Sequence, residues 1–252
     1  MRILKAAATL AALATLVTGC GAVVNGTAKP APNLKLRPLS GATVSKVLLD
    51  GATLSRMLDQ TLISREPAQV GGPEKLYQVK RSTSQAGCLG VTAMLQKSVY
   101  RSAQVQDVAS VSWWNNGEPA QVITVMEGVV TLPSAAQAQA LFAQFSQQWQ
   151  QCNGMTTSEQ TGPISTTNVI SDVRGTATTH DERHQRCPRH RYHHRGDQNR
   201  HLGAAQIRSN CLVEVEVVFF GGRRSTDPGS ANVNSSALDI ARAMMDRVNA
   251  LS

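Results

Sequence analysis

Three groups of side chains in this chain could do chemistry: a cysteine near the start, a cluster of histidines, and scattered carboxylates. Cys20 directly follows Leu16-Val17-Thr18-Gly19, behind an apolar run from Ala6 to Val17 and the two cations Arg2 and Lys5. A basic start, a short apolar run and a small residue at the cut describe a secretory leader. A cysteine directly after the small residue describes a bacterial lipobox. Cleavage before Cys20 would free an amine beside the thiol, and both groups would carry acyl chains. An ordinary leader cut nearby is the alternative. A permanent membrane helix is the weakest option, since about a dozen apolar residues cannot cross about 30 Å of hydrocarbon.

All six histidines lie in residues 180–201 (HDERHQRCPRHRYHHRGDQNRH), together with six arginines and Cys187. A histidine/cysteine cluster can bind Zn²⁺ or Cu²⁺. His190, His193 and His194 would be the candidate ligands, but no C-x-x-C pair exists. An atypical, disordered or out-of-frame segment accounts for the composition better than a metal site does. No cofactor is expected.

The carboxylates Asp107, Glu118, Glu127, Glu214 and Glu216 are spread along the chain. They read as solvated strand positions. There is no G-x-S-x-G, no H-E-x-x-H and no phosphate-binding glycine loop, so an enzyme is not expected. A hydrolase would need a nucleophile, base and oxyanion site assembled by convergence.

The elements that must position these groups follow from periodicity. Residues 43–62 predict a short helix, a turn at Asp50-Gly51 and a second helix from about Thr53. Residues 64–86 predict a long loop, and 88–97 a helix. Residues 105–114 and 120–130 predict strands around the Asn115-Asn116-Gly117 turn. Pro133 opens a helix over 133–151, with Leu141, Phe142, Phe145 and Trp149 on one face. Residues 163–174 alternate weakly, as a strand would. Residues 211–220 form the strongest strand, with Glu214 and Glu216 on one face and Val213, Val215 and Val217 on the other. A loop over 221–234 precedes a last helix over 235–249. Hairpins without strict βαβ alternation predict an α+β fold, a mainly antiparallel sheet packed with helices, in a single extracytoplasmic domain. Its expected bounds are 42–252, behind a leader (1–19) and a lipidated, proline-containing tether (20–41). Trp113 and Trp114 fall on opposite strand faces. One belongs to the core and the other could line a ligand cleft; Trp149 reads as core.

The formal charge of +8 does not make a nucleic-acid binder. Arg2 and Lys5 leave with the leader, residues 180–201 carry a net +3, and +3 remains for the rest. No aromatic residues interleave with a basic stripe to stack bases. Lipidation of Cys20 leaves Cys88, Cys152, Cys187 and Cys211, an even set suited to an oxidising compartment. Four cysteines allow three pairings, and spacing does not choose among them.

Several segments together resemble a known family. They are LLDGATLSRML, GCLGVTAMLQKSVY, SVSWWNNGEP, LPSAAQAQALFAQFSQQWQQCNG and NCLVEVEVVFFGG, in that order behind the lipobox. The set resembles the mycobacterial lipoproteins that share the extracellular sensor domain of PknH-type serine/threonine kinases. The resemblance covers about residues 42–251 and lapses over 175–203, where a strand could be missing. It implies an α+β domain with a large cleft and disulfides. It also implies that Cys88 pairs with Cys152, leaving Cys211 to a cysteine outside the matching segments or to Cys187. The function it implies is a membrane-anchored, non-catalytic sensor for an unidentified small-molecule or envelope ligand. An envelope structural or assembly lipoprotein binding protein partners is the alternative.

Overall fold

The computed structural model describes residues 36–78, 82–83, 86–117, 121–161, 164–174, 177–186, 198–220 and 235–252. Cys20, Glu118, Cys187, His190, His193, His194 and the 221–234 loop lie outside them.

One antiparallel sheet organises the chain. Its strands are β1 (Leu62–Ser64), β2 (Gln69–Gly71), β3 (Ser82–Thr83), β4 (Val108–Asn115), β5 (Val122–Thr131), β6 (Thr156–Thr161), β7 (Ile164–Arg174), β8 (Ala177–Arg186), β9 (Gln198–Arg208) and β10 (Cys211–Phe219). The spatial order is β1-β4-β5-β10-β9-β8-β7-β6-β3, with β2 also paired to β4. The expected hairpin is β4–β5, and the strong apolar strand is β10, at the centre beside β5. The 64–86 segment is not a plain loop, because β2 pairs along β4 and β3 along β6. The region where the resemblance lapses is not without strands: β8 and the start of β9 pair there.

Helices cover both faces. On one face lie a 3-10 turn (Gly41–Val47), α1 (Gly51–Leu58) and α4 (Ser236–Leu251). The turn buries Val44 and Val47. Helix α4 buries Ala237, Ile240, Ala241, Met244, Met245 and Val248, an apolar stripe at helical spacing. These meet Val125, Val129, Val213, Val215 and Val217 of the sheet. On the opposite face lie α2 (Leu89–Thr92) and α3 (Ala135–Gln151). Helix α3 buries Ala138, Leu141, Phe145 and Trp149. Leu141 and Phe145 pack with Val108, Val130 and Leu212, and Tyr100 meets Phe145 edge-on at 5.3 Å between ring centres.

Local chemistry sets the helix ends. Ser134, rather than Pro133, caps α3 by accepting the Gln137 N–H at 3.2 Å. Asp50 caps α1 by accepting the Thr53 N–H at 2.8 Å. Asp50 also accepts from the Thr53 hydroxyl and pairs with Arg247 of α4 at 3.0 Å. Those hydrogen bonds, the backbone one first, lower its pKa to about 2. Arg247 also donates to the Leu48 carbonyl, so α4 and the start of α1 share one cation.

The helix expected over 88–97 stops after Thr92. Ala93 is extended, and Leu95 takes a left-handed φ of 55°. Tertiary contacts override the local tendency here. Leu95 lies directly over Gly128, where an added Cβ would meet its Cδ1 at 2.5 Å. Its N–H points at Glu214, and its carbonyl accepts the Tyr77 N–H at 2.9 Å.

Candidate functional site

The carboxylates of the central strands are not solvated, contrary to the expectation from alternation. Glu127 is fully buried beneath the α1–α4 layer. It accepts the Leu49 N–H at 3.3 Å and the Trp113 indole N–H at 3.1 Å. Burial, partly offset by those two donors, pushes its pKa up to about 8. Glu214 is buried under the α2–α3 layer. It accepts the Leu95 N–H at 3.2 Å and the Tyr100 hydroxyl. Burial raises its pKa to about 7 and, with Glu214 alongside, raises that of Tyr100 well above the usual phenol value. Alternation also put Glu214 and Glu216 together on a solvent face. They do share a face, but that face is covered over Glu214 and only partly over Glu216. Asp107 accepts from the Thr131 hydroxyl at 3.1 Å.

The register shows where the covered face opens. Leu95 lies over the row Ser110, Gly128, Glu214, Ala205. The next row is Ser112, Met126, Glu216, Gly203, and the next Trp114, Thr124, Val218, His201. Ser112, Trp114, Met126, Glu216 and Val218 are only half-buried although they sit on inner strands. Glu216 Oε1 lies 2.7 Å from His201 Nδ1.

A groove of about 310 Å³ opens over this face at the β4 side. Ser110, Ser112 and Trp114 line it, with Tyr77 on one wall and Arg65, Glu66, Pro67 and Gln69 along the rim. The Tyr77 and Ser110 hydroxyl oxygens lie 3.3 Å apart. Tyr77 is fixed by backbone bonds to the 95–97 segment, from its N–H to Leu95 and from the Lys97 N–H to its carbonyl. The Arg65 guanidinium lies 4.8 Å from the centre of the Trp114 ring.

The two tryptophans divide as alternation requires. Trp113 packs into the core beneath α1, where a Cβ on Gly51 would meet its ring at 2.8 Å, and bonds Glu127. Trp114 lines the groove. Trp149 is buried against Cys88, Val91, Cys152, Ile170 and Ala205. Cys88 and Cys152 form a disulfide with Cα atoms 5.7 Å apart. Cys211 is a free, buried thiol rather than a disulfide partner. It sits at the start of β10, and burial pushes its pKa up to about 12. Among the described residues, no group of three or more His, Cys, Asp or Glu could hold a metal ion.

Sequence reasoning missed Arg65, Tyr77, Ser110 and Ser112 as groove residues. Arg65 and Tyr77 lay in a segment read as loop, and the serines lay in a strand whose open face the sequence did not mark. The one available signal was the Ser-x-Ser-x-Trp alternation over 110–114, which places all three side chains on one face.

The extracellular domain of PknH from Mycobacterium tuberculosis has the same fold. It is 17% identical, with a TM-score of 0.67, and the match covers 86% of this chain and 100% of that one. An uncharacterised protein from Mycobacterium smegmatis is 10% identical, with a TM-score of 0.40, over 82% of this chain and 96% of its own. No curated protein matches the chain. The sequence family described as the PknH-like extracellular domain matches residues 39–247, nearly the whole folded region, and the chain belongs to that family.

Proposed function

We propose that this protein is a non-catalytic, ligand-binding sensor module that works outside the cytoplasm and is anchored to the membrane through acylated Cys20. The observation that carries the binding reading is the groove at Trp114. Half-buried polar and aromatic residues on inner strands of a sheet whose central strands are otherwise covered by helices suit a small-molecule site. The buried carboxylates support a non-catalytic role. Glu127 and Glu214 each take two donors from their own chain, so they serve to hold the fold.

The three tryptophans allow a direct test, because Trp113 and Trp149 are packed away from the groove. Titrating the protein with a low-molecular-mass extract of the cell envelope is expected to shift the Trp114 indole N–H resonance in NMR spectra. The Trp149 resonance should stay in place, and Trp114→Ala should abolish the remaining shifts in the groove. An unmoved Trp114 signal throughout the titration would refute the binding reading.

The anchor is tested separately by intact mass of protein extracted from membranes. A chain beginning at Cys20 with the added mass of two or three acyl chains is expected. Several acyl chains make a firm anchor at about 0.8 kcal/mol per buried CH₂. A soluble, unacylated product would remove the membrane from this account.

A further inference from the structure

The contents of the groove narrow its ligand, given that the groove binds one. Arg65 is exposed at the rim, held over the Trp114 ring at 4.8 Å. Among the described residues it makes no ion pair, and none of its N–H groups is hydrogen-bonded. A cation held over an indole keeps its charge at a fixed place, and a guanidinium's forked N–H donors match two oxygens of a carboxylate or phosphate. The lining also brings hydroxyl and amide groups, from Ser110, Ser112, Tyr77 and Gln69, alongside the apolar Pro67 and Val111. The Tyr77–Ser110 hydroxyl pair can donate or accept in either direction. Such a wall satisfies the hydroxyls of a polyol, whereas a purely apolar ligand would leave it unpaired on desolvation. The volume, about 310 Å³, is at the lower end for small-molecule sites. It suits a single sugar ring rather than a polymer. Glu66 is the one acid on the rim, and it stands next to Arg65 in sequence without pairing to it among the described residues.

We propose that the groove binds a small hydroxylated acid, a sugar acid or sugar phosphate, with its anionic oxygens on Arg65 and its hydroxyls against Ser110, Ser112 and Tyr77. This rests on the groove being a ligand site. Trp114 then has two roles: it positions the Arg65 guanidinium and forms an apolar wall for the ring carbons.

The test is calorimetric titration of the full chain with glucuronate, glucose 6-phosphate and glucose. The two acids are expected to bind at least tenfold more tightly than glucose, and their relative affinities tell a carboxylate from a phosphate preference. Arg65→Gln should bring all three within about twofold of one another at unchanged melting temperature, while Arg65→Lys keeps part of the preference. Glu66→Gln should strengthen the acids alone. Equal affinity for the acids and glucose, or a preference that survives Arg65→Gln, overturns the anion assignment and leaves the groove as a binding site. Failure of both acids to bind overturns the proposed ligand class. The binding reading itself then stands only if the envelope extract still shifts Trp114, and falls if it does not.

Discussion

Replacing Cys88 with serine is expected to lower the unfolding free energy by about 4 kcal/mol, the chain-entropy value for closing a loop of this size. The bridge joins residues 64 apart in sequence. That loop encloses the β4–β5 hairpin and helix α3, so cutting the bridge restores freedom to a large part of the unfolded chain. The folded state loses little packing, since Trp149, Val91, Ile170 and Ala205 still meet around the former bridge. At about 2–4 °C per kcal/mol for a domain of this size, the melting temperature should fall by roughly 10 °C. The paired Cys88→Ser/Cys152→Ser variant should match the single one. Reducing agent should lower the melting temperature of the intact protein and leave the double variant unmoved. A single variant melting with the intact, oxidised protein would show that the bridge contributes nothing.

Stability should also fall as pH rises from about 5 to 9, by an amount on the order of several kcal/mol. Two buried acids set the sign. An unfolded Glu127 or Glu214 ionises near 4.5, whereas burial pushes the folded ones up to about 8 and about 7. Across those windows the native state keeps protons that the unfolded chain releases. The contribution is therefore fully present below about 4.5 and is lost as pH climbs through the folded values. Arg247 lies close enough to Glu127 to moderate its shift, while Asp50 works the other way; Glu216 raises Glu214 slightly.

Glu127→Gln separates this effect from simple loss of packing. An amide nitrogen cannot accept, so either the Leu49 N–H or the Trp113 indole N–H loses its partner, costing about 1–3 kcal/mol. A protonated carboxyl keeps both, because its hydroxyl oxygen still accepts. The variant should thus be less stable than the natural protein at pH 5, and the gap should close or reverse by pH 9. Urea unfolding at pH 5, 7 and 9 reads this directly, and parallel curves would exclude Glu127 as the source.

The class of the fold was legible because its strongest segments carry their own signals. The α3 stripe, the β4–β5 turn and the valines of β10 each announce an element without help from the rest of the chain. The misreadings share a physical cause, which is control by residues distant in sequence. Val-Glu-Val-Glu alternation normally marks one wet face. Here the wet face of β10 is covered by Leu95 and Tyr100, which approach from more than a hundred residues upstream. The helix expected through residue 97 fails for the same reason, since Gly128 leaves a hollow that draws Leu95 out of helical geometry. Strands β8 and β9 escaped notice because much of their sequence is polar and charged, so apolar periodicity has little to register. The groove was half legible. The strand period assigned Trp113 and Trp114 to opposite faces, but not which face was open, and Arg65 and Tyr77 reach Trp114 only through tertiary structure.

The place of β10 in the sheet bears on how the domain can be made. Its neighbour β5 ends at Thr131, which pairs with Cys211 at the start of β10. The strand that completes the middle of the sheet is thus the last of the described strands to leave the ribosome or a translocation pore. Until residue 219 has emerged, β5 is paired only with β4, whose other edge takes β1 and β2, and the valines of both strands have no α4 to cover them. Helix α3 and the Cys88–Cys152 bridge can form before that moment. A bridge closed at that stage would encircle a half-built sheet and hold the early segments together while β10 and α4 arrive.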